Sequence, residues 1–235
     1  MEEYIPPAQA NKIEDLALLI SHPQAGIANY SYFILTRTMP ANKLVFHSSK
    51  WRRYLLDEKM LAVMKVRKPA TPCNGAYEIA YVAAEEGFGP TLYDIVMGWS
   101  PGGLISDRNI VSLDAEKVWL KYFNDRPDVK KKKLDPYGEF TPEKEDNCNP
   151  GSAYDWQTFH QAGIDGQSIG KSVKDGKAGY YYGLHSSYSY SLPPQEIDKM
   201  IERGRPIIDA LLRDGIPVTE FMNDICVSFW HLRDH

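Results

Sequence analysis

A chain of 235 residues can bury a sizeable core, as one large domain or as one and a half. Its 43% hydrophobic and 25% charged residues are ordinary for a globular protein, and a net charge of -4 with a pI near 5.9 argues against a general nucleic-acid or polyanion binder. Cys73, Cys148 and Cys226 are odd in number and widely spaced, which predicts reduced thiols in a cytoplasm; the start MEEYIPPAQANK is no signal peptide, and no apolar run nears the ~20 residues of a membrane span.

Residues 12–21, KIEDLALLIS, set Ile13, Leu16, Ala17 and Ile20 at helical spacing and predict a first amphipathic helix that His22-Pro23 ends. Asn29 to Thr38, NYSYFILTRT, is β-branched and aromatic and predicts a strand. Between Leu44 and Leu56, Lys50, Arg52 and Arg53 surround Trp51; such a trio holds a phosphate or forms a solvated face. Met60 to Lys68 predicts another strand, and Pro69, Pro72 and Asn74-Gly75 return the chain, hairpin-like, into the next.

That next stretch, Ala76 to Gly98, reads as strand, glycine turn and helix. Tyr77, Ile79, Tyr81 and Val82 carry the strand; Leu92, Ile95, Val96 and Trp99, three and four apart, carry the helix. Between them lies Glu86-Gly87-Phe88-Gly89-Pro90. Two glycines let the backbone turn close to a ligand, and Pro90 suits a first helical turn, where a missing N–H costs little. A turn of this kind points backbone N–H groups and a helix N-terminus at one place, which favours an anion, with phosphate the natural candidate.

Trp99 to Gly103 connects tightly into a short strand, Leu104-Ile105-Ser106, and Ser112 is placed as N-cap of a helix over 113–123. From Asn124 to Ser152 the chain turns polar and proline-bearing, with four lysines at 130–133; it reads as a long loop or linker whose lysines are solvated or meet an acidic partner. Residues 153–192 gather Tyr180, Tyr181, Tyr182, Tyr188 and Tyr190 near His185, a strand pattern that packs a sheet face or supplies an aromatic wall or acid-base chemistry. Pro193-Pro194 opens a helix to about Asp214, with Ile197, Ile201, Ile208, Leu211 and Leu212 along its apolar stripe and with Gly204 and Pro206 set to kink or divide it. Thr219 to Arg233 places Met222, Ile225, Cys226 and Phe229 on one helical face, a strand through Ile225 to Trp230 being the competing reading. His231 and His235 have metal-ligand spacing but no nearby carboxylate cluster, and no metal is assigned to them.

The run Ala84-Glu85-Glu86-Gly87-Phe88-Gly89 at the end of a strand resembles motif A of the GNAT (Gcn5-related) N-acetyltransferase superfamily, in which the amides of a Q/R-x-x-G-x-G/A turn hold the pyrophosphate of acetyl-coenzyme A. Gly103-Leu104-Ile105-Ser106-Asp107-Arg108, followed by Ser112 to Ala115 and Val118-Trp119, resembles that family's next strand and its N/S-x-x-A helix. GFGPTLYDIVM with GLISDR and VW is also similar to GNAT-like proteins of tailed bacteriophages. The likeness covers residues 60–125.

The resemblance implies a mixed α/β fold with a central mixed sheet flanked by helices: a GNAT-like acyl-CoA-binding domain over 1–125, a linker over 126–152, and a C-terminal α/β extension over 153–235. It implies acetyl-CoA as cofactor, held by Val82, Ala83, Gly87, Phe88, Gly89, Thr91, Ser106 and Trp119, and an amine acceptor, small molecule or protein. Acetyl transfer needs a base for the attacking amine and an acid for the departing thiolate. Glu78 on the central strand is the candidate base. Tyr122, three residues after Trp119 and so on a neighbouring face, is the candidate acid. Ala84 stands where the motif has Gln or Arg, and Val118-Trp119 where many members place the acidic tyrosine. These positions carry the alternative expectation: a GNAT-like phage structural or interaction protein without catalysis, binding a protein partner through its C-terminal extension.

Overall fold

The computed structural model describes residues 4–22, 30–38, 59–106, 113–135, 141–148 and 187–233. Its elements run α1 (Pro7–Ala10), β1 (Leu16–Ser21), β2 (Tyr30–Arg37), β3 (Met60–Arg67), a 3-10 turn (Cys73–Gly75), β4 (Tyr77–Ala84), α2 (Phe88–Trp99), β5 (Leu104–Ile105), α3 (Leu113–Asn124), β6 (Lys130–Lys133), β7 (Tyr188–Ser191), α4 (Asp198–Arg213) and α5 (Val218–Arg233). The fold is mixed α/β, with a seven-stranded sheet in the order β1-β2-β3-β4-β5-β7-β6. β1/β2, β2/β3, β5/β7 and β6/β7 pair antiparallel, whereas β4 and β5 pair parallel, Tyr77 opposite Leu104 and Glu78 opposite Ile105. No helix of the described residues is long and apolar enough to cross a membrane.

Two compact units divide the chain. The first comprises Met1–Arg67, Ala80–Val96 and Pro194–His235. In it, α4 and α5 cover one side of β1 to β3 through a core of Leu19, Tyr32, Ile34, Met60 and Val63 against Ile207, Ala210, Leu211, Met222, Ile225, Cys226 and Phe229. KIEDLALLIS is therefore not a helix: Leu16 to Ser21 is a strand, and Leu16 to Leu19 are all buried. A strand buried on both faces shows a continuous apolar run, and periodicity alone does not separate that from a short helix. α4 runs undivided through Gly204 and Pro206. Its buried face is Met200, Gly204, Ile207, Ala210 and Leu211, while Leu212, expected in the stripe, is 61% exposed. A Cβ at Gly204 would overlap the Leu18 carbonyl oxygen, so the missing side chain is what seats this helix on β1. Arg203 reinforces the seat, its Nε donating to the Leu16 carbonyl at 2.6 Å and an Nη to that of Asn11 at 3.1 Å. The face expected of α5 is buried as read, and the competing strand does not form.

The second unit comprises Lys68–Ile79 and Met97–Pro193. The lysine run, expected in a loop, is strand β6: Lys130 to Lys133 pair with Ser191 to Tyr188, and all four lysines are exposed. Its buried partner Tyr190 supplies the packing that lysines cannot, its ring 5.0 Å from that of Trp119 on α3. Cys73 and Cys148, expected as free thiols, are joined in a disulfide with Cα atoms 4.5 Å apart, packed with Ala76, Ile105 and Leu134. Spacing could not reveal the pair because 75 residues separate its members. Cys226 is free and buried. Lys50, Arg52, Arg53, Ser112, Tyr180 to Tyr182 and His185 lie outside the described residues.

Two measurements probe these contacts. Gly204→Ala is expected to lower stability by about 1–3 kcal/mol, the overpacking cost, where alanine in a helix interior ordinarily adds about 1 kcal/mol. A raised melting temperature would refute the close seat. Reducing the Cys73–Cys148 bridge is expected to remove up to about 4 kcal/mol, the loop-closure entropy for a loop of that length. Urea unfolding with and without a phosphine reductant reads it, and coincident midpoints would show that the bridge contributes nothing.

Candidate functional site

The turn expected to hold an anion forms in the first unit where β4 ends. The Glu85 amide donates to the Leu61 carbonyl of β3 at 2.7 Å, and the Phe88 amide then closes back on the Glu85 carbonyl at 3.2 Å. Gly87, between them, has φ +87°, a left-handed conformation that costs an L-residue about 1–2 kcal/mol. α2 starts at Phe88, Pro90 falls in its first turn, and the amides this corner can offer a ligand are those of Gly87 and Gly89. Val82, Ala83, Gly87, Phe88 and Gly89 are half-buried and Glu86 is exposed, so the corner meets solvent. At Gly89 an added Cβ would touch only the Ala84 side chain, at an ordinary 3.6 Å.

Thr91, expected to touch the cofactor, is fully buried, and its hydroxyl donates to the Ile5 carbonyl at 2.6 Å. Tyr4 adds a hydrogen bond from its phenol to the buried Asp94. Residues 4 and 5 thus lie along the first turns of α2. Arg37, the last residue of β2 and one to which the sequence assigns no role, brings its guanidinium to 6.0 Å from the Phe88 ring while pairing with Asp15 at 2.8 Å. A bulge between Leu35 and Thr36, opposite Leu61, lies at this same end of β2 and β3, as bulges beside sites often do.

The remaining named residues belong to the second unit. Glu78, the expected base, lies on β4 and is 3% exposed. Ser106 is buried just after β5, its hydroxyl without a hydrogen-bond partner among the described residues. Trp119 and Tyr122 come together on α3 with ring centroids 6.3 Å apart; both are buried, and Arg126 stacks over the Tyr122 ring at 5.3 Å. As placed, these two aromatic side chains are core residues of that unit. His235 lies outside the described residues, as do Asp107 and Arg108.

A second constellation in the first unit escaped the sequence reading. Lys65 on β3 points its ammonium at three tyrosines, 4.1 Å from the Tyr30 ring centroid, 5.4 Å from Tyr32 and 5.9 Å from Tyr81. Asn223 on α5 accepts hydrogen bonds from Lys65 Nζ at 3.1 Å and from the Tyr32 hydroxyl at 3.0 Å. Cys226, one helical turn on, sits beside the Tyr81 phenol. Burial pushes the Cys226 thiol up to about 12 and the Tyr32 phenol up to about 12; it raises Tyr81 as well and lowers Lys65. Partners 158 residues apart, Lys65 and Asn223, leave no local signal in sequence.

Protein-family models, curated proteins and solved structures were all compared with the chain, and none matches it.

The raised acids set an alkaline limit. The unfolded chain releases the Cys226 proton near 9.0 and the Tyr32 proton near 10.0, whereas the folded chain keeps both to about 12. Stability present below pH 9 is therefore lost as pH rises towards 12, at about 1.4 kcal/mol per pH unit for each proton so held. Lys65, shifted the other way, offsets part of this by adding stability as pH approaches 10.5. Urea midpoints from pH 7 to 11 are expected to fall above pH 9, less steeply in Cys226→Ala; parallel curves for the two proteins would exclude the thiol as a cause.

Proposed function

We propose that this chain is a GNAT-like N-acetyltransferase that binds acetyl-CoA at the Glu85–Gly89 corner and transfers the acetyl group to an amine. One observation carries the reading: β4 ends in a glycine turn with Gly87 left-handed, directly at the N-terminus of a 12-residue helix that leads to a strand parallel to β4. In such strand-helix-strand units ligands meet the carboxyl end of the strand, and amides there with a helix dipole favour phosphate by about 0.3–1 kcal/mol. Gly87 and Gly89 would present their amides to the pyrophosphate, Arg37 would add a cation near Phe88, and Val82 and Ala83 would flank the pantetheine arm.

A second reading has its own support. Tyr122 and Trp119 are buried against each other rather than presented to a thiolate, and the disulfide suits an oxidising setting better than a reducing cytoplasm. In that reading the chain keeps the fold without the chemistry, as a structural or interaction protein of a phage particle; under the first it works in the host cytoplasm.

Gly89→Asp tests the binding. The position has room for a side chain, and a carboxylate in the first turn of a helix is favourable, so the variant should fold. Its charge would face the phosphates. Calorimetric titration is expected to show saturable acetyl-CoA binding by the wild-type chain, weakened about tenfold or more in Gly89→Asp, a cost of about 1.4 kcal/mol or above. Absence of binding by the folded wild-type protein would discard the acetyl-CoA reading.

A further inference from the structure

Lys65 is the amine in this fold for which simple packing gives the least account. It is half-buried on β3, between β2 and β4, and among the described residues it forms no ion pair. The acidic residues nearest Asn223 in sequence, Glu220 and Asp224 on α5, are exposed. What meets its ammonium is the faces of Tyr30, Tyr32 and Tyr81, the Asn223 side-chain oxygen, and the neighbourhood of the Cys226 thiol, which burial keeps protonated. A cation stripped of part of its water and given no carboxylate is the one most ready to shed its proton, and a lysine in that state is a nucleophile. The ring faces attract the ammonium and so offset part of this, while they fix where the amine stands, which is the other requirement for attack.

Its position along the sheet adds a direction. Leu61 meets Glu85 through the hydrogen bond that ends the β3–β4 ladder, and four residues further along β3 Lys65 stands by Tyr81. From Tyr81 to Glu85 the strand covers four residues, about 13 Å, before the chain turns into the Gly87–Gly89 corner. That lies within the reach of an extended phosphopantetheine arm between its pyrophosphate and its thioester.

We infer that Lys65 is an acyl-acceptor site of this protein, modified by an acyl thioester whose phosphates are seated on the Gly87–Gly89 corner. The thioester part of this inference rests on the function proposed above; the amine's reactivity does not. In the step, the neutral Lys65 nitrogen attacks the acyl carbonyl and a C–N bond forms. The C–S bond breaks, the sulfur leaves with the electron pair, and the nitrogen's proton passes to solvent. The product amide is uncharged, so the modification removes a half-buried cation from beneath α5.

Two donors separate the claims. The full chain is incubated at pH 7 with acetyl-CoA or with acetyl phosphate, and acetylation is mapped by peptide mass spectrometry against the exposed Lys12 and Lys199 of the same unit. Lys65 is expected to be labelled about tenfold faster than either reference by both donors, because its burial lowers the amine's pKa and enlarges the neutral fraction that attacks. Its rate should also level off at a lower pH than theirs, which a purely structural lysine would not do. Gly89→Asp is expected to slow labelling by acetyl-CoA about tenfold relative to labelling by acetyl phosphate, whose short acyl group cannot span from the corner to Lys65. Fast labelling by acetyl phosphate alone would keep the reactive amine and overturn the thioester route and the coenzyme seat together. Labelling of Lys65 no faster than Lys12 and Lys199 by either donor overturns the inference.

Discussion

The hydrogen bond from the Glu85 amide to the Leu61 carbonyl, 2.7 Å long, decides where the first unit changes from sheet to corner. Before it, β4 is held as a strand beside β3; after it, the chain must leave the sheet within two residues to begin α2 at Phe88. Only a residue at ease with positive φ makes that exit without strain, and Gly87 supplies it. The same rung sets the alignment of β3 and β4, and with it the meeting of Lys65 and Tyr81. The helix start and the tyrosine-walled lysine therefore depend on one register. A slip of one residue would turn every side chain of β4 to the opposite face and separate both features from their partners.

Register is protected at the outer strands by different chemistry. β1 ends the sheet order on one side, and its Leu16 carbonyl is occupied by Arg203 while Gly204 brings the α4 backbone against Leu18. A row of open backbone groups invites a foreign strand, and a helix laid this close leaves it little room. β6 ends the order on the other side as four exposed lysines, where charge does what coverage does at β1. This gives the lysine run a structural reason independent of any acidic partner. It also explains how so polar a sequence is a strand at all: β7 brings the buried Ser189 and Tyr190, and β6 needs only to complete the backbone pairing.

How far the residues reveal this fold follows from the range of the forces involved. β2, β3, β4, α2 and α5 are legible because each carries its own period and its own punctuation, from the β-branched NYSYFILTRT to the i, i+3, i+4 face of Met222, Ile225, Cys226 and Phe229. Leu16 to Ser21 misleads because a strand buried on both faces loses the alternation that identifies strands. Lys130 to Lys133 misleads because propensity counts against lysine in a sheet and only the partner strand overrules it. The glycine corner of the candidate site is legible, being local. The Cys73–Cys148 bridge and the Lys65–Asn223 contact are not, since spacing along the chain carries no information about which distant segments the sheet brings together.

Binding and chemistry place unequal demands on sequence in a site of this kind. A phosphate held by backbone amides needs a corner of the right shape, and glycine, glycine and proline provide shape whatever side chains surround them. Ala84 brings no polar side chain to the turn, and a corner that works through the amides of Gly87 and Gly89 needs none. Proton transfer instead requires a particular group within reach of a particular atom. Tyr122 lies against Trp119 beneath the Arg126 guanidinium, and that packing uses its ring and removes it from water. A tyrosine that supports a core in this way cannot swing out to meet a sulfur without opening the core it supports. Under the proposed transfer the thiolate would therefore leave to solvent or to a hydroxyl other than that of Tyr122, which would place more of the barrier on the amine: on its proton, its orientation, and the readiness with which it attacks.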